Sequence, residues 1–362
     1  MYSEIYDTAL MTVLVSSSIW FFFFRDSNRI GFLNFVVVFL TLGLLLALRD
    51  YRYVGIDMIR YSLTYEQTAD STFEESFNIR EGANFGYFIL NYILAKSGIP
   101  FQSFVIWSSI FIVFSTIWVY YKNDALNPFS IAAFMGLGVY TFDFSGMKQG
   151  LAMAVLMWCY YLLQKNHDKL SYILFFVALS IHPIAIIFAP YFFINKVLIT
   201  QKHIVLLLIA FGIVFAFRVQ IGLFLTLMFA DNYVDRYESS GNVGGTFLLF
   251  LSLYVLYVFL FKKDIFEAES HSKDLFLILT IMVFVQMLSS FAYTFTRANL
   301  CLVQLIPLAI AEMLDNSTNR KFMVLSYMIV FAFYSIKLYH IHLIGEFIDV
   351  YESICNFDYL KQ

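Results

Sequence analysis

Residues 48–61, with the sequence LRDYRYVGIDMIRY, hold a compact group of charged side chains that could do chemistry. The group consists of Arg49, Asp50, Arg52, Asp57 and Arg60, and it follows nineteen residues without a charge. Charged groups are costly inside a bilayer, so the cluster is expected at a membrane edge or in a cavity lined by protein. Such a set could bind an anion and offer a carboxylate. The alternative is an ordinary helix end whose arginines reach toward the interface.

Three further polar features interrupt apolar stretches. Lys148 follows the polar turn DFSGMKQG and would begin a helix, where the dipole and free N–H groups favour an anion. His182 stands before Pro183 in the middle of residues 170–194, and a proline there predicts two half-helices that meet at a break. Arg297 begins an apolar span. The alternatives are a lysine that reaches to the interface, a satisfied histidine in a buried turn and an arginine that caps a neighbouring helix.

The composition indicates which elements position these groups. The chain has 362 residues, of which 60% are hydrophobic, 20% are aromatic and only 14% are charged. A soluble domain of this size could not bury so much apolar surface, whereas helices in a bilayer need not do so. The N-terminal sequence MYSEIYDTAL has acids but no basic region, so it reads as a first membrane helix and not as a cleaved signal peptide. The sequence therefore predicts a polytopic membrane protein.

The apolar stretches predict an all-α fold with about 10–12 transmembrane or re-entrant helices. Candidate spans are residues 5–24, 30–48, 101–121, 128–145, 147–164, 244–261, 275–293, 298–313 and 322–340, with a shorter apolar run at 203–217. Residues 84–99 are apolar but short and are interpreted as interfacial or re-entrant. We expect one integral membrane domain over residues 1–362, with short extracytoplasmic loops at 49–100 and 218–243.

The distribution of basic residues predicts the orientation. With the N-terminus outside, 12 of the 23 basic residues face the cytoplasm and 9 of those 12 are lysines, as the positive-inside rule expects. The other seven arginines of the chain then lie on the extracytoplasmic side. Arginine suits bidentate binding of phosphate or carboxylate, so this outer enrichment favours an anion site. The alternative is that these arginines pair with nearby acids and hold the loops together.

Several other functions lack their motifs. The sequence contains no phosphate-binding loop, dinucleotide fingerprint, nucleophile elbow or zinc-binding helix motif, and its three cysteines share no metal or redox spacing. We therefore predict neither a metal nor another cofactor. A basic stripe and a soluble nucleic-acid module are also missing, which argues against nucleic-acid binding.

Four segments in order resemble the EpsG/Wzy family of bacterial polysaccharide polymerases: RDYRYVGIDMIRY, EGANFGYFILNYILAKSG, SGMKQGLAMAV and LSIHPIAIIFAPYF. The resemblance covers about residues 40–315. Its first motif is occupied by Arg49, Asp50, Val54, Gly55, Asp57 and Tyr61. The family's arginine–glutamine element is similar to Lys148-Gln149, where lysine replaces the usual arginine. The family's histidine at a helix break and its late arginine correspond to His182 and Arg297.

The resemblance implies a glycosyltransferase in the bacterial cytoplasmic (inner) membrane. Such a polymerase transfers a glycan chain from undecaprenyl pyrophosphate to an incoming lipid-linked repeat at the outer face. The polymer would be an O-antigen of lipopolysaccharide, a capsule or an exopolysaccharide. Partners would be the undecaprenyl-pyrophosphate-linked oligosaccharide, membrane lipid, and chain-length regulator and flippase proteins.

Roles for single residues follow from that chemistry as expectations. The residues expected to bind the pyrophosphate are Arg49, Arg52, Lys148, Arg297 and Arg60. Asp57 or His182 would act as the general base. Tyr61, Tyr87 and Tyr140 would stack on sugar rings, and the alternative is that they are aromatic residues of the membrane interface. Two other functions stay open. A flippase or transporter of lipid-linked sugar would carry charges through the membrane midplane, and an O-antigen ligase would share nearly the same chemistry.

Overall fold

The structure is a computed structural model that describes residues 2–52, 54–55, 57–79, 84–221, 224, 244–267, 270–289, 293–315 and 321–355. These residues form helices and turns, and no β-strand occurs among them. The first ten helices are α1 (Tyr2–Phe23), α2 (Asn28–Ala47), α3 (Met58–Asp70), α4 (Phe73–Ile79), α5 (Phe85–Lys96), α6 (Phe101–Lys122), α7 (Pro128–Gly136), α8 (Val139–Phe142), α9 (Met147–Gln164) and α10 (Asp168–Ile181). A 3-10 helix (Pro183–Phe188) leads to α11 (Ala189–Ile194), α12 (Gln201–Ala216), α13 (Gly244–Phe261), a 3-10 turn (Asp264–Phe266), α14 (His271–Leu288), α15 (Tyr293–Val303), α16 (Ile306–Asp315) and α17 (Lys321–Cys355).

Six helical segments are long and apolar enough to cross a membrane, judged by length and composition. They are Ile5–Phe23, Asn28–Ala47, Phe101–Lys122, His271–Leu288, Phe295–Asp315 and Lys321–Ile341. Three shorter apolar helices accompany them in the described chain, at Pro183–Ile194, Gln201–Ala216 and Gly245–Phe261. The predicted all-α, polytopic membrane fold is confirmed.

One predicted span is broken in the structure, and another contains a turn. The stretch 128–145 forms the short helices α7 and α8, because Gly138 between them adopts a φ of 85°, which a continuous helix does not allow. The stretch 298–313 contains a turn between α15 and α16 but lies within the candidate span Phe295–Asp315, in agreement with the prediction. The predicted break at His182-Pro183 is present, since α10 ends at Ile181 and a 3-10 helix begins at Pro183.

The chain divides into two compact units, Met1–Ile186 with Leu325–Gln362, and Ile187–Val324. The sequence predicts a single membrane domain over residues 1–362, and this division into units does not test that prediction. The predicted loop at 49–100 contains α3, α4 and α5 in its described part. Most of the predicted loop at 218–243 lies outside the described residues.

In the first unit, α2 and α6 run antiparallel. Near the start of α2, Asn34 Nδ2 donates to the carbonyl of Leu126, just beyond the end of α6, at 3.2 Å. At the other end, Gln102 Nε2 in the first turn of α6 donates to the carbonyl of Arg49, just beyond α2, at 3.0 Å. At one end of the pair, the residues after α6 contact the start of α2. At the other end, the residues after α2 contact the start of α6.

Helices α9 and α10 form a second antiparallel pair. The Ser171 hydroxyl donates to the Cys159 carbonyl at 2.8 Å, and the two side chains also meet, with Sγ and Oγ 3.0 Å apart. Both helices rise by about 1.5 Å per residue, so positions equally distant from this contact lie at the same level. Lys148 and His182 are each eleven residues from it and therefore share one end of the pair.

In the second unit, α14 is the central helix and contacts α11, α12, α13, α15 and α16. Its polar start is tied to α16, because the carboxylate of Glu312 accepts hydrogen bonds from Tyr257 and Ser272. Further along, Asn299 Nδ2 in α15 donates to Gln286 Oε1 in α14 at 2.8 Å. The unit is thus held by buried polar contacts as well as by apolar packing.

Candidate active site

Arg49 lies at the centre of the junction between the predicted outer loop and the helices of the first unit. Only 4% of the surface of Arg49 is exposed to solvent. Nη1 donates to Ser109 Oγ at 2.9 Å and to the carbonyl of Leu46, and Nη2 donates to the carbonyl of Asp143 at 3.3 Å. The guanidinium also stands over the Phe144 ring, 5.6 Å from its centroid. Burial lowers the pKa of Arg49 to about 10, so the side chain stays charged at neutral pH.

Asp143 was part of the predicted polar turn but was assigned no role there. It is 2% exposed, and its Oδ1 has no hydrogen-bond partner among the described residues. A Cβ atom on Gly150 would stand 2.6 Å from that oxygen, so the carboxyl lies against the backbone of α9. The sequence could have indicated Asp143, because an acid between two apolar stretches is costly to bury and is therefore a functional candidate.

Gly55 lets the outer loop approach this turn closely. Its φ is +98°, and a Cβ atom at this position would stand 2.2 Å from the carbonyl oxygen of Phe144. A side chain would therefore meet both backbone strain and a backbone atom. The loop and the turn DFSGMKQG are in direct backbone contact, which explains why the sequence needs glycine between Val54 and Asp57.

Arg52 and Arg60 differ from Arg49 in being exposed. The side chain of Arg52 is 65% exposed and forms two hydrogen bonds with the carboxylate of Asp50, at 2.9 and 2.6 Å. These side-chain hydrogen bonds lower the pKa of Asp50. This matches the sequence alternative in which outer arginines pair with nearby acids. Arg60 lies in the first turn of α3.

Asp57 stands at the N-cap position of α3 and is half-buried. Its side chain does not cap the helix, although aspartate is a favoured capping residue. The carboxylate is thus held at the edge of the outer loop without being committed to the helix it precedes.

Lys148 lies in the first turn of α9, half-buried between two tyrosine rings. Its Nζ is 5.2 Å from the ring centroid of Tyr61 and 5.6 Å from that of Tyr87. Such cation–π contacts hold an ammonium in place while leaving its N–H groups able to donate. Tyr61 lies in α3 and Lys148 follows the turn DFSGMKQG, so the structure brings together two predicted residues that are far apart in the sequence. Tyr87 on α5, whose ring is the second one beside Lys148, is buried, so its ring offers little surface for the expected stacking on a sugar.

His182 follows the last residue of α10, at the same end of the α9–α10 pair as Lys148. Its Nδ1 accepts a hydrogen bond from the backbone N–H of Ile184 at 3.2 Å. In the neutral ring the proton therefore lies on Nε2, because Nδ1 acts as the acceptor. The half-buried ring can thus donate a hydrogen bond from Nε2 in this conformation.

Two expected residues are placed differently. Tyr140 is fully buried, its hydroxyl donates to the carbonyl of Leu42 at 2.8 Å, and its ring packs against Phe134 and Phe144. A ring enclosed in this way offers no face to a sugar, so the stacking role predicted for Tyr140 does not fit the structure. Arg297 belongs to the second unit, where it is half-buried in α15, two residues before Asn299.

No group of three or more histidine, cysteine, aspartate or glutamate side chains that could hold a metal ion occurs within the described ranges. The first unit contains three polar groups that could take part in a reaction. They are the half-buried ammonium of Lys148, the half-buried carboxylate of Asp57 and the imidazole of His182, which can donate a hydrogen bond. Positive groups beside a proton acceptor suit a reaction in which an anionic group departs.

Residues 32–353 match the model of the EpsG family. No curated protein and no solved structure matches the chain. The family match spans the outer cluster, the turn before α9, the break after α10 and the helix that carries Arg297.

Proposed function

The chain belongs to the EpsG family, and on this basis we propose that it is a polysaccharide polymerase of the bacterial cytoplasmic membrane. It transfers a glycan chain from undecaprenyl pyrophosphate to a sugar hydroxyl of an incoming lipid-linked repeat at the outer face. The family match over residues 32–353 is the observation that carries this proposal. Its proposed partners are membrane lipid and chain-length regulator and flippase proteins, and it needs no cofactor.

In this reaction the acceptor hydroxyl loses its proton to a base, and its oxygen forms a bond to the anomeric carbon of the chain. The bond from that carbon to the pyrophosphate oxygen breaks, and the electron pair leaves with the lipid pyrophosphate. Negative charge therefore develops on the leaving group, which cations or hydrogen-bond donors must stabilise. The acceptor oxygen requires a positioned carboxylate or imidazole.

Lys148 is the best-supported partner for the leaving pyrophosphate. It is held between two rings at the start of a helix, where the dipole adds to its own charge. The exposed arginines Arg52 and Arg60 are the other cations proposed for the first unit. Arg297 lies in the second unit, and its binding of the pyrophosphate stays a prediction. Arg49 is enclosed by its partners, so we assign it to holding the loop against the turn and not to contact with the pyrophosphate.

Asp57 is the proposed general base. Its carboxylate can accept the proton of a sugar hydroxyl. The Nδ1 atom of His182 accepts the N–H of Ile184 and so is not the proposed base. The Nε2 proton of His182 is instead suited to donate to an oxygen of the departing pyrophosphate. Tyr61, which is half-buried, keeps its proposed role of stacking on a sugar ring.

The test is polymerisation by the purified chain in liposomes that contain only a lipid-linked repeat. We expect a ladder of longer lipid-linked glycans and the release of lipid pyrophosphate, with no nucleotide added. A repeat that stays a single unit but changes leaflet would identify a flippase instead. Transfer of a preformed glycan only to an added acceptor, without lengthening, would identify a ligase. Either result would overturn the polymerase proposal.

A further inference from the structure

A polar cavity lies at the end of the α2–α6 pair opposite to Arg49. Its volume is about 150 Å³, well above the roughly 10–15 Å³ that a single water requires. Its lining includes Trp20, Arg25, Ser27, Asn28, Lys122 and Asp124. The twenty residues of α2 span about 30 Å, the thickness of a bilayer core. The cavity and the proposed active site therefore lie at opposite membrane faces, and the predicted orientation puts the cavity on the cytoplasmic side.

Two cations reach this cavity over aromatic rings. Lys122 is the last residue of α6, and its Nζ is 4.5 Å from the ring centroid of Trp118. Arg25 follows α1, and its guanidinium carbon is 5.3 Å from the ring centroid of Phe21. Both positive charges are thus held near the membrane edge by cation–π contacts.

The N-terminus of α2 adds backbone donors to the same cavity. Ser27 is the N-cap residue, and its hydroxyl accepts the N–H of Ile30 at 3.4 Å. The N–H groups of Asn28 and Arg29 have no acceptor within the helix, as is usual for a first turn. Together with the helix dipole, these groups favour a negative charge at this point.

An indole N–H provides an independent sign of a ligand. Trp20 is only 5% exposed, yet its Nε1 has no hydrogen-bond acceptor among the described residues. That edge of the ring faces Gly31, another residue of the cavity lining, where a Cβ atom would stand 3.1 Å from Nε1. A buried donor without an acceptor is costly, and an acceptor bound in the cavity would remove that cost.

We propose that this cavity binds a phosphate group, carried either by the headgroup of an anionic phospholipid or by a soluble phosphate. The cavity offers two cations, the first turn of a helix and an indole N–H, which are all donors to phosphate oxygens. Basic pockets between transmembrane helices on the cytoplasmic side suit lipid headgroups. Asp124 at the rim opposes an anion and so reduces the affinity of the site.

Binding is measured on the purified full chain and does not depend on the polymerase reaction. One arm reconstitutes the chain in nanodiscs with phosphatidylglycerol or with phosphatidylcholine alone and counts retained lipid by native mass spectrometry. The other arm titrates inorganic phosphate in phosphatidylcholine nanodiscs and follows thermal unfolding. The variants are Lys122→Gln, Trp20→Phe and Asp124→Asn. The matched control is Lys165→Gln, which removes another exposed lysine that lies over a tyrosine ring, 5.6 Å from the centroid of Tyr161.

We expect Lys122→Gln to weaken binding about tenfold, the effect of losing one charged hydrogen-bond partner. Trp20→Phe weakens it several-fold while keeping an aromatic ring, Asp124→Asn strengthens it, and Lys165→Gln leaves it unchanged. This pattern with phosphatidylglycerol alone identifies a lipid headgroup, and the same pattern with inorganic phosphate identifies a soluble phosphate. The proposal is overturned if Lys122→Gln and Asp124→Asn bind both probes like the unaltered chain, or if Lys165→Gln weakens binding equally.

Discussion

Arg49 and Arg52 are three residues apart in one motif, yet the structure uses them in opposite ways. Arg49 is enclosed, and it donates hydrogen bonds to the hydroxyl of Ser109 and to the backbone carbonyls of Leu46 and Asp143. Arg52 is exposed, and its guanidinium forms an ion pair with the carboxylate of Asp50. The first therefore joins the outer loop to the helix bundle, whereas the second lies on the surface of the loop.

The difference teaches that charge in a motif does not by itself indicate contact with substrate. A buried guanidinium needs partners within the protein, because an unpaired buried charge is very costly. Nη1 and Nη2 of Arg49 have them, whereas its Nε has none among the described residues. An exposed ion pair stabilises a protein little, so its removal leaves the fold intact. Stability and polymer formation should therefore respond differently to substitutions at the two positions.

The largest effect on stability is expected for Arg49→Ala. This change removes the donors to Ser109 and to two carbonyl groups, and it leaves the buried Asp143 carboxyl without its neighbouring cation. Leaving a buried hydrogen-bond partner unsatisfied costs about 1–3 kcal/mol. We expect a lower thermal midpoint and less protein in the membrane. The double variant Arg49→Met with Asp143→Asn fills the space of the guanidinium and also removes the buried carboxyl, so it should be less destabilised than Arg49→Ala. An equal or greater loss would contradict the role of this contact.

Lys148→Gln is expected to act on the reaction and not on the fold. Loss of one preorganised donor to developing negative charge lowers a rate by about 10²–10³-fold. Lys148→Arg should retain most of the activity, because it keeps a cation over Tyr61 and Tyr87. The measurement is polymer yield at equal protein level.

The control for Lys148 is Lys96→Gln. Lys96 also lies over a tyrosine ring, with Nζ 5.8 Å from the centroid of Tyr92, but on α5 away from the turn. Its removal should leave polymer unchanged. Normal polymer in Lys148→Gln, or equal losses in both variants, would remove Lys148 from the proposed mechanism.

Gly55→Ala tests how tightly the outer loop packs on the turn. A left-handed backbone costs an ordinary residue about 1–2 kcal/mol, and here the added Cβ atom would also meet the Phe144 carbonyl. Gly98→Ala is the matched control, because Gly98 has a φ of 69° but no atom within 4 Å of its Cβ position. We expect the thermal midpoint to fall further for Gly55→Ala, and equal shifts would show that the loop does not pack as described.

Arg52→Ala should have the smallest effect on stability. An exposed ion pair contributes about 0.2–1 kcal/mol, so the thermal midpoint should change little. Polymer yield decides its role, because a pyrophosphate-binding arginine lowers the yield whereas an arginine that only pairs with Asp50 does not. A fall in stability as large as that of Arg49→Ala would contradict the distinction between the two arginines.

The long apolar helices were predictable from the sequence, because each combines uninterrupted hydrophobicity with polar ends. The predicted spans 30–48 and 101–121 agree closely with α2 and α6. The stretch 128–145 was wrong as one span, since hydropathy alone does not report the left-handed backbone at Gly138. The break after α10 was predictable because Pro183 has a specific physical effect on a helix.

The site was predictable only in part. The motif residues could be found because charges in an apolar chain are conspicuous. Their burial could not, because Arg49 meets Ser109 and Asp143 across 60 and 94 positions of the sequence. The same limit explains Tyr140, whose burial depends on its contact with the carbonyl of Leu42, 98 positions away.

The most direct test of the central claim is a surface-glycan gel from a strain that lacks this chain. The strain is complemented with the unaltered chain, with Asp57→Asn or with Arg297→Ala, at equal protein level. We predict that the deletion collapses the ladder to a single lipid-attached repeat, that the unaltered chain restores it, and that neither variant does. Loss of a general base lowers a rate by about 10²–10⁴-fold. A ladder that is unchanged by the deletion, or fully restored by both variants, would contradict the account.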